Sequence, residues 1–133
     1  MPECADRGAE PVRDEVFTER THHGVDYTPM RAVRTDRYKL IRHFEPGTPP
    51  PMPTDVRNCL SARTLPERLT RPRPGEELYD LGEDPWETNN LAGTPEAEAI
   101  QRHLSERLDQ WMRDTVDPLL DGPIRLPGER ARA

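Results

Sequence analysis

The amino-acid sequence predicts an α+β fold, in which about four antiparallel strands form a small sheet and one long C-terminal helix packs on it. Residues 30–44 alternate between apolar and polar side chains, a pattern typical of half-buried strands. Residues 100–112 instead place their apolar side chains at helical spacing, in one stripe. Between these segments lies a proline-rich stretch, residues 45–75, which we expect to form a long loop.

Composition limits the size of the core that this chain can build. The 133 residues suffice for one domain, but only 32% are hydrophobic, 33% are charged and 16 are prolines. We therefore expect a small core with long irregular segments, in a single domain over residues 15–123. Residues 1–14 and 124–133 are predicted to be disordered ends.

Charge and hydropathy argue against several classes of protein. A net charge of −6 without a block of basic residues indicates no nucleic-acid partner and no membrane surface. No apolar run reaches roughly 18 residues, the length of a transmembrane helix, and the N-terminus lacks the apolar region of a signal peptide, which leaves the compartment open. Cys4 and Cys59 fit neither a disulfide framework nor a metal-ligand spacing.

The strand prediction is most detailed in the segment "MRAVRTDRYKLIRHF". Its alternation sets Val33 opposite Ala32 and Arg34, and the same pattern continues after a turn expected at residues 35–37. In the second half, one face carries Tyr38, Leu40 and Arg42, and the other carries Lys39, Ile41 and His43. "VFTER" and "EELYDL" (residues 76–81) are predicted as two further strands. The proline-rich stretch between them contains "VRNCLSARTLPERL", where we expect a turn or two of helix.

Two helix starts are predicted after residue 81. In the first, Asp84 is the N-cap, Pro85 occupies the first helical position and Glu87 reaches back to the cap, while Trp86 and Leu91 pack onto the strand. In the second, Thr94 is the N-cap of the long helix. The stripe of that helix consists of Ile100, Leu104, Leu108, Trp111 and Met112.

The run "LYDLGEDPWETNNLAGTPE" resembles the closing signature of the sulfatase family, which has a strand Leu-Tyr-Asp-Leu, then Asp-Pro-x-Glu and then Asn-Leu. "PMRAVRTDRYKLIRHF", a preceding "THH" and "WMRDTVDPLLDG" resemble the sulfamidase-like (N-sulfoglucosamine sulfohydrolase-like) members in the same order, so the resemblance covers residues 15–123. We expect the residues of this region to be structural. They are Tyr79, Asp80, Asp84, Pro85, Glu87, Asn90 and Leu91, with Leu104 and Trp111 from the helix.

In that family, this region is the smaller C-terminal domain, and catalysis belongs to a larger N-terminal domain. The resemblance implies that calcium and formylglycine occur only in that catalytic domain, so that the present chain has no cofactor and no catalytic residue of its own. Its partners would be the catalytic domain, in cis or in trans, and the sulfated sugar substrate of the intact enzyme. The alternative hypothesis is a free-standing interaction module that docks on a separately encoded sulfatase chain.

Three groups of residues suggest chemistry within this chain. "CLSAR" resembles the family's formylglycine motif, but it has neither the following Gly nor upstream paired Asp, so we expect Cys59 to be a free or partly buried thiol. The resemblance implies that His22 and His23 lie near the active-site mouth of the intact enzyme, where we expect one of them to contact the sulfated sugar. The alternative without a binding role is that they are exposed or capping residues of a loop. A zinc site is not expected there, because adjacent His side chains diverge on a strand.

The acidic residues around the first helix start also resemble a calcium-binding loop. They are Asp80, Glu83, Asp84 and Glu87. Their spacing lacks the alternating oxygen ligands of such a loop, and helix capping would account for two of them. We therefore predict that this chain has no metal site.

Overall fold

Four antiparallel strands form one sheet in the order β1-β2-β3-β4, and a long helix lies across one of its faces. The computed structural model describes residues 13–23, 26–64, 67 and 70–124. The strands are β1 (Val16–His23), β2 (Asp26–Arg34), β3 (Tyr38–His43) and β4 (Glu76–Asp80). The helices given by bounds are α1 (Thr54–Asn58), α2 (Leu60–Thr64) and α3 (Glu98–Asp114), with 3₁₀ turns at Pro95–Ala97 and Pro118–Asp121, all within the described residues. The predicted α+β class is confirmed.

The β2–β3 hairpin closes without a glycine. Thr35 donates its amide to the Tyr38 carbonyl (2.8 Å), and the Tyr38 amide donates to the Thr35 hydroxyl (2.9 Å). The Thr35 hydroxyl thus accepts a backbone hydrogen bond within the turn and stabilises it without a glycine. The resulting register pairs Val33 with Leu40, and Leu40 in turn pairs with Leu78. The predicted alternation and turn therefore place one apolar row across the middle of the sheet.

The core lies between that row and α3. Val33, Leu40 and Leu78 are fully buried, and α3 covers them with Leu104, Leu108 and Met112. Ile100 and Trp111 complete the stripe at its margin, where the Trp111 ring stacks on Phe17 with centroids 5.1 Å apart. The amphipathic stripe read from the sequence is thus the surface that attaches the helix to the sheet.

The long helix begins where it was predicted, but its cap differs. A 3₁₀ turn, Pro95–Ala97, precedes α3, and the Thr94 side chain makes no capping bond to it. The Thr94 hydroxyl donates instead to the Leu91 carbonyl (2.9 Å), which fixes the preceding turn. The Thr94 carbonyl accepts from the Ala97 amide, so the backbone alone starts the helix.

The helix predicted to start at Asp84 is absent, and that prediction is wrong. Glu87 has a φ of 53°, in the left-handed region, which cannot continue a right-handed helix. Asp84 instead closes a loop, in which its carboxylate accepts from the Thr88 amide (2.7 Å) and the Asn89 amide (2.8 Å). Trp86 does not pack on the strand, since it is 86% exposed, whereas Leu91 does pack against the core.

The segment after this loop covers the outer edge of β4. The Asn90 side-chain oxygen accepts from the Leu78 amide (2.9 Å), and the Leu91 amide donates to the Leu78 carbonyl (2.8 Å). An exposed strand edge would offer unpaired backbone groups to other chains. Asn90 and Leu91 thereby satisfy the outward-facing backbone groups of Leu78, as a fifth strand would.

The proline-rich excursion is closed at its base by backbone hydrogen bonds. The Gly47 amide donates to the Arg73 carbonyl (2.8 Å), and the Arg73 amide donates to the Thr48 carbonyl (3.1 Å). Within the excursion, α1 and α2 are the short helical turns that the sequence predicts. Of the ends predicted to be disordered, residues 1–14 and 124–133, only residues 13, 14 and 124 are among the described residues, so the prediction lies almost wholly outside them. In the part of the chain that is described, no helix has the length and apolar character needed to cross a membrane.

The α3–sheet contact yields a stability prediction. Leu104→Ala removes a fully buried side chain from the core and should lower the free energy of unfolding by about 2–5 kcal/mol, measured by denaturant titration. Glu106→Ala, on the exposed side of the same helix, is the matched control and should change it by less than about 0.5 kcal/mol. Equal effects of the two variants would contradict the packing described here.

Candidate functional site

The face of the sheet opposite α3, here called the far face, carries polar and titratable side chains. In register, Lys39 lies beside Tyr79 and Ile41 lies beside Glu77, with His43 one step further along β3. These positions alternate with the core row, so strand geometry alone directs them away from the helix. The far face is therefore where this fold can present chemistry to a ligand.

Three of these side chains form a hydrogen-bonded network. His43 Nε2 lies 2.7 Å from Glu77 Oε1, and the Tyr79 hydroxyl donates to Glu77 Oε2. The His43 hydrogen bond lowers the pKa of Glu77 against the opposing effect of burial, and the Tyr79 bond lowers it further. Burial, and then the Glu77 contact, raises the pKa of Tyr79. At neutral pH Glu77 is thus a carboxylate acceptor and Tyr79 a neutral donor, which is an arrangement for positioning rather than nucleophilic attack.

A cleft of about 570 Å³ opens beside this network. Glu77 and Tyr79 form its floor, the proline-rich excursion forms one side and the loop after Asp84 forms the other. The residues contributed by those two walls are Pro50, Arg71, Pro72, Arg73 and Pro74 from the excursion, and Thr88, Asn89 and Asn90 from the loop. The volume is within the range of ligand pockets in proteins.

The acidic residues near the cleft have structural partners. Asp80 receives a forked hydrogen bond from Arg37, which lowers the pKa of the carboxyl. Glu87 accepts from Lys39 Nζ at 2.8 and 3.0 Å, and backbone donation, first from Asn89, lowers the pKa of Asp84. Within the described residues, no group of three or more His, Cys, Asp or Glu side chains is arranged to hold a metal ion.

His22 and His23 lie at the end of β1, on the opposite edge of the sheet from β4. His22 is half-buried, and its ring lies 5.0 Å from the ring of Tyr27 at an angle of 46°. His23 is exposed and lies opposite Asp26 in the β1–β2 register. Three strand spacings, about 14 Å, separate β1 from β4. The structure therefore does not bring the histidine pair into the cleft, and its proposed sugar contact stays a prediction.

The sequence reasoning missed the most buried ion pair among the described residues. Arg31 on β2 donates to both carboxylate oxygens of Asp117, with Nη2 3.0 Å from Oδ1, and the two side chains are 2% and 1% exposed. Arg31 Nη1 also donates to the Arg20 carbonyl (3.0 Å) and the Thr21 hydroxyl (3.3 Å). A signal was available, because Arg31 is two residues from Val33 and so faces the core.

Comparison with known proteins gives three curated relatives, two of which match most of this chain at the same identity. The human (Homo sapiens) N-sulphoglucosamine sulphohydrolase is 30% identical over 86% of this chain and 26% of its own length. An ulvan-active sulfatase of Formosa agariphila is also 30% identical, over 87% of this chain and 24% of its own length. The chain thus spans about a quarter of the length of the curated relatives it matches. No protein-family model matches it.

The solved structures agree with this fold. A 2-O GAG sulfatase superposes with a TM-score of 0.58 at 24% identity, over 92% of this chain and 21% of that structure. The chain corresponds to the C-terminal domain of the sulfatase family. The resemblance seen in "LYDLGEDPWETNNLAGTPE" is therefore confirmed by comparisons that extend over nearly the whole chain.

In this sulfatase domain, Cys59 lies between α1 and α2 within the proline-rich excursion. Its thiol is free and half-buried, at the junction of two single-turn helices rather than of a strand and a helix. That placement favours the expectation of a thiol without a catalytic role, which stays a prediction.

The far-face network predicts a coupled ionisation in the sulfatase domain. Glu77→Gln removes the carboxylate that holds the Tyr79 phenol, so the pKa of Tyr79 should fall, while burial should still hold it above about 10, its ordinary value. Alkaline NMR titration of the tyrosine ring carbons measures this change. Glu106→Gln, distant on α3, should leave the Tyr79 titration unchanged. An unaltered Tyr79 pKa in Glu77→Gln would contradict the network.

The buried pair predicts non-additive mutations. Asp117→Ala leaves the Arg31 charge buried and unpaired, and should cost about 3–5 kcal/mol of unfolding free energy. The double variant Arg31→Met with Asp117→Leu should be less destabilised than Asp117→Ala, because it leaves no unpaired charge. Denaturant titrations of the single and double variants measure the coupling, and strictly additive losses would contradict it.

The same pair predicts the direction of acid sensitivity. Burial alone would raise the pKa of Asp117, but the Arg31 hydrogen bonds and the Leu119 amide lower it below its ordinary value. A carboxyl whose pKa is lower in the folded state contributes stability above its unfolded pKa and loses it as pH falls through the folded value. Unfolding free energy should thus decline below about pH 4, and more gradually in Asp117→Asn. Identical slopes would contradict the prediction.

Proposed function

We propose that this chain acts as the C-terminal domain of a sulfamidase-like sulfatase, in which it docks on the catalytic domain and forms one wall of the substrate pocket. Hydrolysis of the sulfuric ester or N-sulfate would take place in the catalytic domain, with calcium and formylglycine there. The names of two relatives support this proposal, since one is a sulfohydrolase and the other a sulfatase. The chain matches about a quarter of the length of each. On this proposal the chain has no hydrolytic activity of its own.

The main observation in favour of docking is the exposure of one large aromatic side chain, Trp86. Trp86 is 86% exposed, although tryptophan is rarely left in water. It is held at the tip of a loop that is fixed on both sides, by the Asp84 carboxylate and by the Glu87–Lys39 ion pair. A pre-positioned, solvent-exposed tryptophan is the typical anchor of a protein interface.

The outer edge of β1 supports the same proposal. Asn90 and Leu91 cover the edge of β4, but within the described residues no segment pairs with the outer side of β1. The Val16 side chain on this strand is 49% exposed. An uncovered edge strand is a surface that a neighbouring domain can protect.

The docking proposal is tested with a sulfatase catalytic domain that lacks its own C-terminal quarter, such as that of the human relative. The full chain should bind it in pull-down, and docking should increase hydrogen-exchange protection of the β1 amides. Trp86→Ala should weaken binding by at least about tenfold while leaving unfolding free energy nearly unchanged, because the side chain is exposed. Glu106→Ala is the control and should bind like the wild-type chain.

Two outcomes would contradict the proposal. The first is a chain whose β1 amides show the same protection with and without the catalytic domain. The second is turnover of aryl sulfates or N-sulfated glucosamine by the chain alone that disappears in Cys59→Ala, since this would place the chemistry here. Binding to a separately supplied catalytic domain is expected whether or not the two domains belong to one polypeptide. It would favour the free-standing interaction module only if the source organism encodes the two domains as separate polypeptides.

A further inference from the structure

Positive charge is concentrated in one part of an otherwise acidic chain. Residues 56–75 contain five arginines and one glutamate, while the whole chain has a net charge of −6. This stretch is most of the proline-rich excursion, of which Pro50 and residues 71–74 line the cleft with Glu77 and Tyr79. A local excess of arginine on such a segment attracts anions and is weakened by salt.

Two of these arginines line the cleft beside the far-face network. Arg71 is exposed, and Arg73 is half-buried with its Nε atom shielded from solvent. Among the described residues, neither side chain has a hydrogen-bond or ion-pair partner. Elsewhere in the domain, arginines next to carboxylates do pair with them, as Arg37 does with Asp80 and Arg42 does with Glu76.

Among the described residues, the Glu77 carboxylate in the cleft makes no ion pair with these arginines. Both Glu77 oxygens are occupied, one by His43 and the other by Tyr79. The Asn90 amide is likewise engaged with β4, so it does not compete for the guanidinium groups. A shielded Nε–H without an acceptor costs free energy, which a bound oxygen ligand would recover.

The chemistry of the walls indicates the kind of ligand. Guanidinium groups bind sulfate and carboxylate oxygens through two parallel hydrogen bonds, and prolines and Tyr79 supply apolar surface between them. We propose that Arg71 and Arg73 form an anion subsite in this cleft for a sulfate or carboxylate group of an acidic glycan. The assignment to a glycan rests on the proposed sulfatase function.

The subsite is tested by titrating the full chain with a heparin-derived tetrasaccharide and with the same tetrasaccharide after desulfation, using calorimetry at low salt. The sulfated probe should bind, and its affinity should fall as salt is raised, while the desulfated probe should bind at least about tenfold more weakly. Arg71→Gln and Arg73→Gln should each weaken binding of the sulfated probe by about tenfold.

Arg102→Gln is the matched control, since its side chain is 65% exposed on α3 and outside the cleft. It removes the same charge and should change the affinity by less than about twofold. Because Arg71 is exposed, Arg71→Gln should keep the thermal unfolding midpoint of the wild-type chain, so that a loss of binding cannot come from unfolding.

Three results would overturn the subsite. They are equal affinity for the two probes, an equal loss in Arg102→Gln, or no binding of the sulfated probe together with binding of an acidic peptide that Arg71→Gln abolishes. None of them alters the docking result with Trp86→Ala. Failure of the subsite is therefore distinguishable from failure of the proposed function.

Discussion

The buried pair between Arg31 and Asp117 is the contact on which the arrangement of sheet and helix depends. Arg31 lies on β2, the central partner of β1 and β3, whereas Asp117 follows the end of α3. Their bidentate hydrogen bonds attach the last turn of the helix to the sheet, and the remaining donors of Arg31 attach β1. Apolar packing holds the middle of α3, but it is non-directional, so the ion pair fixes where the helix ends.

Much of the fold could be predicted from the sequence because its signals are local. The strands from residue 30 to 44 and the stripe on α3 follow from periodicity, and both are as expected. The false helix at Asp84 shows where local reasoning fails. Asp-Pro followed by an acid satisfies every rule for a helix start, but Lys39, distant in sequence, pairs with Glu87 and holds it in a left-handed conformation.

The candidate site was harder to predict than the fold, because it is assembled from segments far apart in sequence. Glu77 and Tyr79 were read as parts of a strand, and Arg71 and Arg73 as parts of a loop. The pairing of residues 47–48 with Arg73 closes the base of the excursion, and these groups become walls of one cleft. Conversely, His22 and His23 were conspicuous in the sequence, yet they lie at the other edge of the sheet.

In the part of the chain that the structure describes, two residues other than glycine have positive φ angles, and each lies beside or takes part in an ion pair. Val116 (φ 52°) comes directly before Asp117, and Glu87 (φ 53°) follows Trp86. A left-handed conformation costs roughly 1–2 kcal/mol for such residues, more for a β-branched one. The buried Arg31–Asp117 pair lies directly beside Val116, and Glu87 itself pairs with Lys39. Ion pairs thus adjoin the strained backbone both at the end of the helix and at the docking loop.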